Sequence, residues 1–281
     1  MLEVKKPASS SNSKKNLKIE IPKENISPEI SQETNELPVE IKQNEHIEDS
    51  EIEVNEDSFQ FQIRAGFIKK VYGILSIQLM ITFGSVFLFQ LPPIKKYIFN
   101  NPHLASNILI VCCFTFLALF LILICNKNLA RTVPYNYIYL FAITLCESLV
   151  CSIISSIYSF QIVATALALT IVSTLVITFY ACTTKTNFSY YRMGMFILFS
   201  QIFMIGLIAA LFRLEALYTV YTFLMTIMVG FYLVYDTQLI IGKFGVAYSV
   251  DDYIFATLEI YMDIIRLFLL ILRIIGRARR N

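Results

Sequence analysis

Two carboxylates, Asp236 and Asp263, stand inside runs that are otherwise apolar enough for a lipid bilayer, and Glu259, Arg266 and Arg273 stand with them. Such groups persist in a bilayer when they pair with one another or border water, and there they mark ion or proton paths. Two facing carboxyls do not comfortably ionise together, so they share a proton. A nearby Arg or Lys works the other way and favours the charged form. This is the chemistry of a shared proton, and it needs no nucleophile. The two histidines, His46 and His103, fall in a polar segment and a loop, which argues against a histidine zinc site in the membrane. The expectation is a protein without catalytic residues or cofactor.

The spacing of these groups restricts how they can be held. Asp252, Glu259, Arg266 and Arg273 recur every seven residues, and seven helical steps return to within about 20° of the start. Asp263 joins the same stripe, so the five share an arc of roughly 80°. The other faces, with Ile254, Phe255, Leu258, Ile264, Leu267, Phe268, Ile271 and Leu272, are apolar. A helix of this kind cannot turn its stripe to lipid and belongs in the middle of a bundle, with the stripe against other helices or water. A plainer reading has Arg266 simply neutralising Glu259 or Asp263. Asp236 lies six residues before Gly242, and Asp263 lies eleven after Asp252. At 1.5 Å per residue the two are about 9 and 16 Å from those points, on the same half of the membrane.

The rest of the chain reads as the wall around this stretch. Hydrophobic residues make up 56% of its 281 residues and the mean hydropathy is +0.62, which suits a polytopic membrane protein. The net charge of +2 hides an asymmetry: residues 1–60 carry a net of −7 and residues 61–281 a net of +9. The acidic segment 1–60, rich in Ser, Asn, Glu and Pro, buries too little apolar surface to offset ordering and is expected to be a disordered tail. No cleavable signal peptide is expected, because the first residues lack an apolar core. Seven spans are expected near 71–91, 105–125, 135–157, 161–182, 193–212, 218–241 and 252–275. Pro92, Pro93, Pro102 and Pro134 fall between them as breaks. Gly73 and Gly84, with Ser152, Ser155 and Ser156, are candidates for close helix approach. The cysteines Cys112, Cys113, Cys125, Cys146, Cys151 and Cys182 lie in or at the ends of apolar runs and read as packing rather than as disulfides. The fold class is therefore an all-α membrane protein, a seven-helix bundle at 61–281 with its last helix central.

Several motifs resemble the Bax-inhibitor/Lifeguard family of transmembrane proteins. They are Tyr235-Asp236-Thr237-Gln238-Leu239, Asp252-Tyr253-Ile254, and Leu258-Glu259-Ile260-Tyr261-Met262-Asp263-Ile264-Ile265. Upstream, Gly66-Phe67-Ile68-Lys69-Lys70, Arg131-Thr132-Val133-Pro134-Tyr135 and Thr184-Lys185-Thr186-Asn187-Phe188 extend the likeness, which covers about 64–276. The resemblance implies a calcium leak through intracellular membranes that is controlled by pH, modulates calcium stores and suppresses cell death. It implies that Asp236 and Asp263 are the sensing pair. It also implies a latch, a base near the end of the second helix that pairs with them. Lys127 and Arg131 are the bases available there, though no Arg stands in clear register. Glu147, in the third span, matches a buried acid of some family members. Calcium takes six to eight oxygens, and Asp236, Asp263, Glu259 and Glu147 supply too few for a tight cage. A weak calcium contact at Asp236 and Asp263, which an ion enters and leaves, fits better.

Other readings compete. A non-conducting scaffold that regulates apoptosis through membrane protein partners needs the acids only for structure, and a proton-coupled transporter uses the same residue types. An intramembrane aspartyl protease would need a GxGD motif that Asp263 lacks, and a retinal protein would need a lysine in the last span. The expected partners are lipid, calcium and apoptosis-regulating membrane proteins, with no nucleic acid. The expected location is the endoplasmic reticulum or Golgi membrane.

Orientation follows from loop charge. With the N-terminus in the cytoplasm, the inner segments hold Arg64, Lys69, Lys70, Lys127, Arg131, Lys185, Arg192 and Lys243, against Lys95, Lys96 and Arg213 outside. Arg277, Arg279 and Arg280 go outside if the last segment crosses and stay inside if it dips and returns. In this orientation the sequons at Asn25 and Asn187 face the cytoplasm and stay unglycosylated. A glycosidase-sensitive mass shift lost on Asn25→Gln or Asn187→Gln would reverse the orientation.

Overall fold

The computed structural model describes residues 39–245 and 248–279, with side chains from Phe59 onward apart from Lys127. Nine α-helices form among these residues: α1 Val39–Phe89, α2 Pro92–Asn100, α3 Pro102–Cys125, α4 Lys127–Arg131, α5 Tyr135–Ser156, α6 Phe160–Thr183, α7 Arg192–Leu211, α8 Glu215–Ile241 and α9 Tyr253–Ala278. There is no strand among the described residues. Six segments are long and apolar enough to cross a membrane: Phe59–Phe89, Pro102–Cys125, Tyr135–Ser156, Phe160–Thr183, Phe188–Leu211 and Glu215–Ile241. α9, which is not one of these six, has 26 residues, about 39 Å of helix against a hydrocarbon core of about 30 Å. The protein is an all-α membrane protein, and its span boundaries lie within a few residues of those expected, except at the first.

The helix that carries the first expected span begins well upstream of residue 71, its backbone already helical from Val39. Of the segment expected to be disordered, residues 1–38 lie outside the described residues. Pro92 and Pro93 do more than separate spans. They occupy the first turn of α2, where a missing N–H costs nothing and the fixed φ favours a helix. The glycines singled out for close approach are not the ones used. A Cβ on Gly73 or Gly84 would meet nothing, whereas one on Gly206 would run into Tyr221 and one on Gly276 into Tyr158.

Two sets of polar ties show that the helices alternate in direction. At one end Arg131 of α4 pairs with Asp252, just before α9, at 2.8 Å. Arg64 of α1 donates to the carbonyl of Tyr248 at 2.8 Å and to that of Leu239 near the end of α8. Lys243 donates to the carbonyls of Cys182 at 2.6 Å and Thr184 at 2.7 Å, which end α6. At the other end Arg277 donates to the carbonyl of Glu215 at 3.1 Å, and Arg279 to the Gln161 side chain at 3.2 Å. Those partners open α8 and α6. The start and finish of α9 therefore lie at opposite ends of the bundle, and the helix runs its length rather than dipping and returning.

α9 is also the innermost helix. Seventeen of its residues are buried, against only Cys112 and Leu123 in α3, so α9 is the core and α3 is rim. It packs on α8, α6 and α5. Phe268, fully buried, meets Phe83 edge to face at 5.5 Å between centroids. Apolar side chains gain no hydrophobic energy from leaving lipid, so this close packing and the buried hydrogen bonds hold the bundle together.

Gly276 permits one such close contact, with the Tyr158 ring seated against its α-carbon. Gly276→Ala is expected to lower stability by about 1–3 kcal/mol through overpacking. Gly73→Ala, into open space within a helix, is neutral or stabilising by up to about 1 kcal/mol. Melting temperatures of the two variants in one detergent check the contrast, and equal shifts would contradict this packing.

Candidate functional site

The C-terminal half of α8 turns inward. Leu233, Thr237 and Ile240 are fully buried, Asp236 is 7% exposed, and Gln238 is 2% exposed. The helix stops at Gly242, whose φ of 78° suits glycine, and the Gly242 amide caps the Gln238 carbonyl at 3.0 Å. The chain then returns and enters α9 through the turn Val250–Asp252. This hairpin brings Asp236 and Asp263 together in the wall of one cavity. Asp263 is 4% exposed, and its Oδ2 has no hydrogen-bond donor among the described residues.

The pair forms part of the wall of a cavity of about 660 Å³ between α7, α8, α9 and α3. Glu259 and Arg266 open into the same space from α9, Arg192 from α7, and Tyr232 and Tyr235 from α8. Arg266 Nη1 stands 3.7 Å from Asp263 Oδ1, one turn along the helix. Of the bases considered from the sequence whose side chains are described, it is the one beside the pair. The Tyr248 hydroxyl donates to Glu259 Oε2 and closes one side of the cavity. Glu259, Asp263 and Arg266 thus share one space with Arg192 and Tyr235.

The stripe is divided among several partners. Asp252 serves Arg131, while Glu259, Asp263 and Arg266 serve the cavity. Arg273 lies at the far end over the Tyr218 ring, 5.1 Å from its centroid. Glu147, on α5, is within electrostatic reach of Arg266 but is not part of the cavity wall. Arg131 is engaged away from the pair. Both its Nε and Nη2 are committed to Asp252, at 2.9 and 3.1 Å, because α4 ends beside the turn into α9 rather than over the carboxyls. The other proposed latch, the Lys127 side chain, lies outside the described residues.

Two bases of the site went unnoticed in the sequence. Arg192, taken there as a loop charge, opens α7 and lies near Tyr235 and Glu259. No spacing connects it to α8 or α9, since only the fold brings α7 against them. Arg64, read as a flanking charge of the first span, holds the Tyr248 and Leu239 carbonyls and so fixes the loop that carries Tyr248. At the opposite end Lys95 of α2 donates to Gln90 Oε1 at 3.0 Å and to the Tyr158 carbonyl at 2.5 Å. Partial burial pulls the Lys95 ammonium below its usual pKa. No group of three or more His, Cys, Asp or Glu forms a metal centre among the described residues.

Residues 64–281 match the family model described as Inhibitor of apoptosis-promoting Bax1. Among characterised proteins, the chain is similar to Protein lifeguard 3 of Mus musculus, 32% identical over 221 residues, covering 76% of this chain and 70% of that protein. It is 30% identical to Protein lifeguard 3 of Homo sapiens over the same shares. Protein lifeguard 4 of Mus musculus is 28% identical over 225 residues, 80% of this chain and 90% of that protein. With its α-helical membrane bundle, and with the YDTQL and LEIYMDII motifs meeting at one cavity, the chain belongs to the Bax-inhibitor/Lifeguard family of multi-pass membrane proteins, and that membership supports a role in inhibiting apoptosis.

Proposed function

We propose that the protein is a pH-sensitive calcium-leak channel of an intracellular membrane, the endoplasmic reticulum or Golgi, with its N-terminus in the cytoplasm. Through the leak it modulates calcium stores and suppresses cell death. The observation that carries this reading is the pairing of Asp236 and Asp263 from two helices in the wall of one cavity, with Arg266 3.7 Å from Asp263. Protonation changes the charge of that pair and with it the pull of Arg266. The other groups facing it are Glu259, Arg192, Tyr232, Tyr235 and Tyr248, with Glu147 reaching Arg266 from α5. The cavity offers calcium a few carboxylate oxygens in place of a full shell, which favours passage over retention. With seven crossings and a cytoplasmic N-terminus, Arg277 and Arg279 end on the lumenal side.

Calcium-loaded vesicles containing the protein release calcium at a rate that depends on pH. Asp236→Asn and Asp263→Asn flatten or displace that dependence, because each removes one ionisable partner. Arg266→Gln displaces it as well. Arg131→Gln leaves it in place and costs at most about 1 kcal/mol of stability, as expected for an exposed ion pair. Coincident pH–flux curves for wild type and both aspartate variants would overturn the reading. Proton movement strictly coupled to calcium would replace it with a transporter.

A further inference from the structure

The dyad cavity occupies only the half of the bundle nearest the α8–α9 turn. A row of buried polar side chains between α1 and α5 runs from the level of that cavity toward the opposite end. Gln78 Nε2 donates to Thr144 Oγ1 at 2.8 Å. One turn along, the Thr82 hydroxyl meets Ser148 Oγ at 3.1 Å and the Tyr261 hydroxyl of α9 at 2.8 Å. Next, Ser85 meets Ser152 at 2.8 Å. Last, Gln90 Nε2 donates to the Ser155 carbonyl at 2.7 Å, and Lys95 sits on Gln90 Oε1. From Gln78 to Gln90 the seam covers about 18 Å along the α1 axis.

Helix association alone would account for a ladder of small hydroxyls. Two further observations point to a ligand. Gln78 is 3% exposed and Ser155 fully buried, yet Gln78 Oε1 and Ser155 Oγ have no hydrogen-bond partner among the described residues. Seams that only join helices satisfy their own oxygens, because an unpaired one is costly at this depth. The seam also reaches α9 at the level of the cavity. Tyr261 lies two residues before Asp263, and Glu147, next to Ser148, is within electrostatic reach of both Tyr261 and Arg266.

We propose that the seam between α1 and α5 is the far half of the permeation path and that Lys95 closes its mouth, an inference that rests on the leak-channel function above. In the state described, the oxygens bond to one another and the path is shut. When it opens, they exchange those bonds for bonds to water or a hydrated cation, and the two unpaired oxygens gain partners. The Lys95 ammonium at the mouth opposes cations through its charge and ties α2 to the Tyr158 carbonyl.

Calcium flux from loaded vesicles tests this with wild type, Thr82→Val, Thr82→Ser, Lys95→Met, Lys95→Arg and Asp236→Asn at matched protein content. Thr82→Val keeps the shape and loses the hydroxyl, and initial flux falls about tenfold. Thr82→Ser retains most of it, which a purely steric role for Thr82 would not produce. Lys95→Met raises flux, and Lys95→Arg does not. Lys95 lies at an aqueous end, so its variants give an answer even if Thr82→Val fails to fold. Wild-type flux in Thr82→Val or Lys95→Met, with the Asp236→Asn effect intact, overturns the seam and leaves the leak channel standing. A wild type that passes no calcium overturns both.

Discussion

The arrangement of the bundle depends on the cost of holding charge away from water. Asp236, Asp263, Glu259 and Arg266 fall within segments of membrane-spanning length, and none of them can face lipid. The bundle meets this by placing α9 inside and leaving open only the side that carries Glu259 and Arg266. Once α9 is central, α8, α6 and α5 must lie against it, and α3 is left at the rim, where nearly all its side chains are free to meet lipid. A cavity then becomes unavoidable, because charged groups that are neither fully paired nor exposed to lipid need a polar medium beside them.

The loops meet a second constraint, the unpaired carbonyls at each helix end. Positive side chains from distant parts of the chain do much of this work. Lys243 covers the last carbonyls of α6, and Arg64 covers the Leu239 carbonyl near the end of α8. Gln238 joins in, accepting from the Phe188 amide at 3.2 Å and donating to the Thr186 carbonyl at 3.0 Å. The conspicuous YDTQL motif thus has two functions within three residues. Asp236 faces the cavity, and Gln238 fastens the α6–α7 loop beside it.

Much of this was readable from residue order. The apolar runs gave the helices, because about twenty such residues have few alternatives to spanning a bilayer. The seven-residue recurrence gave the buried position of α9, since a one-sided charged helix has one tolerable place in a membrane. The placing of Asp236 and Asp263 on the same half of the membrane followed from the hairpin. What was not legible depended on partners remote in sequence. Arg192 reaches the cavity only because α7 packs on α8, and Arg131 is drawn to Asp252 by the position of a five-residue helix. The pairing of the α5 hydroxyls is not legible either, because their partners on α1 lie 66 or 67 positions away. Gly73 and Gly84 misled for a related reason: composition shows where a close approach is permitted, not where a tyrosine arrives to use it.

The central position of α9 also bears on how the protein is made. Arg or Asp at the middle of an isolated helix opposes entry into the bilayer by about 2.5–3.5 kcal/mol per residue, so α9 is a poor membrane segment by itself. It follows the other six spans in the chain, and its favourable surroundings are the surfaces those spans provide. Insertion of the last helix is therefore conditional on assembly of its sheath. The final step of biogenesis is less a partition from water into lipid than the docking of a charged rod into a protein slot already shaped for it.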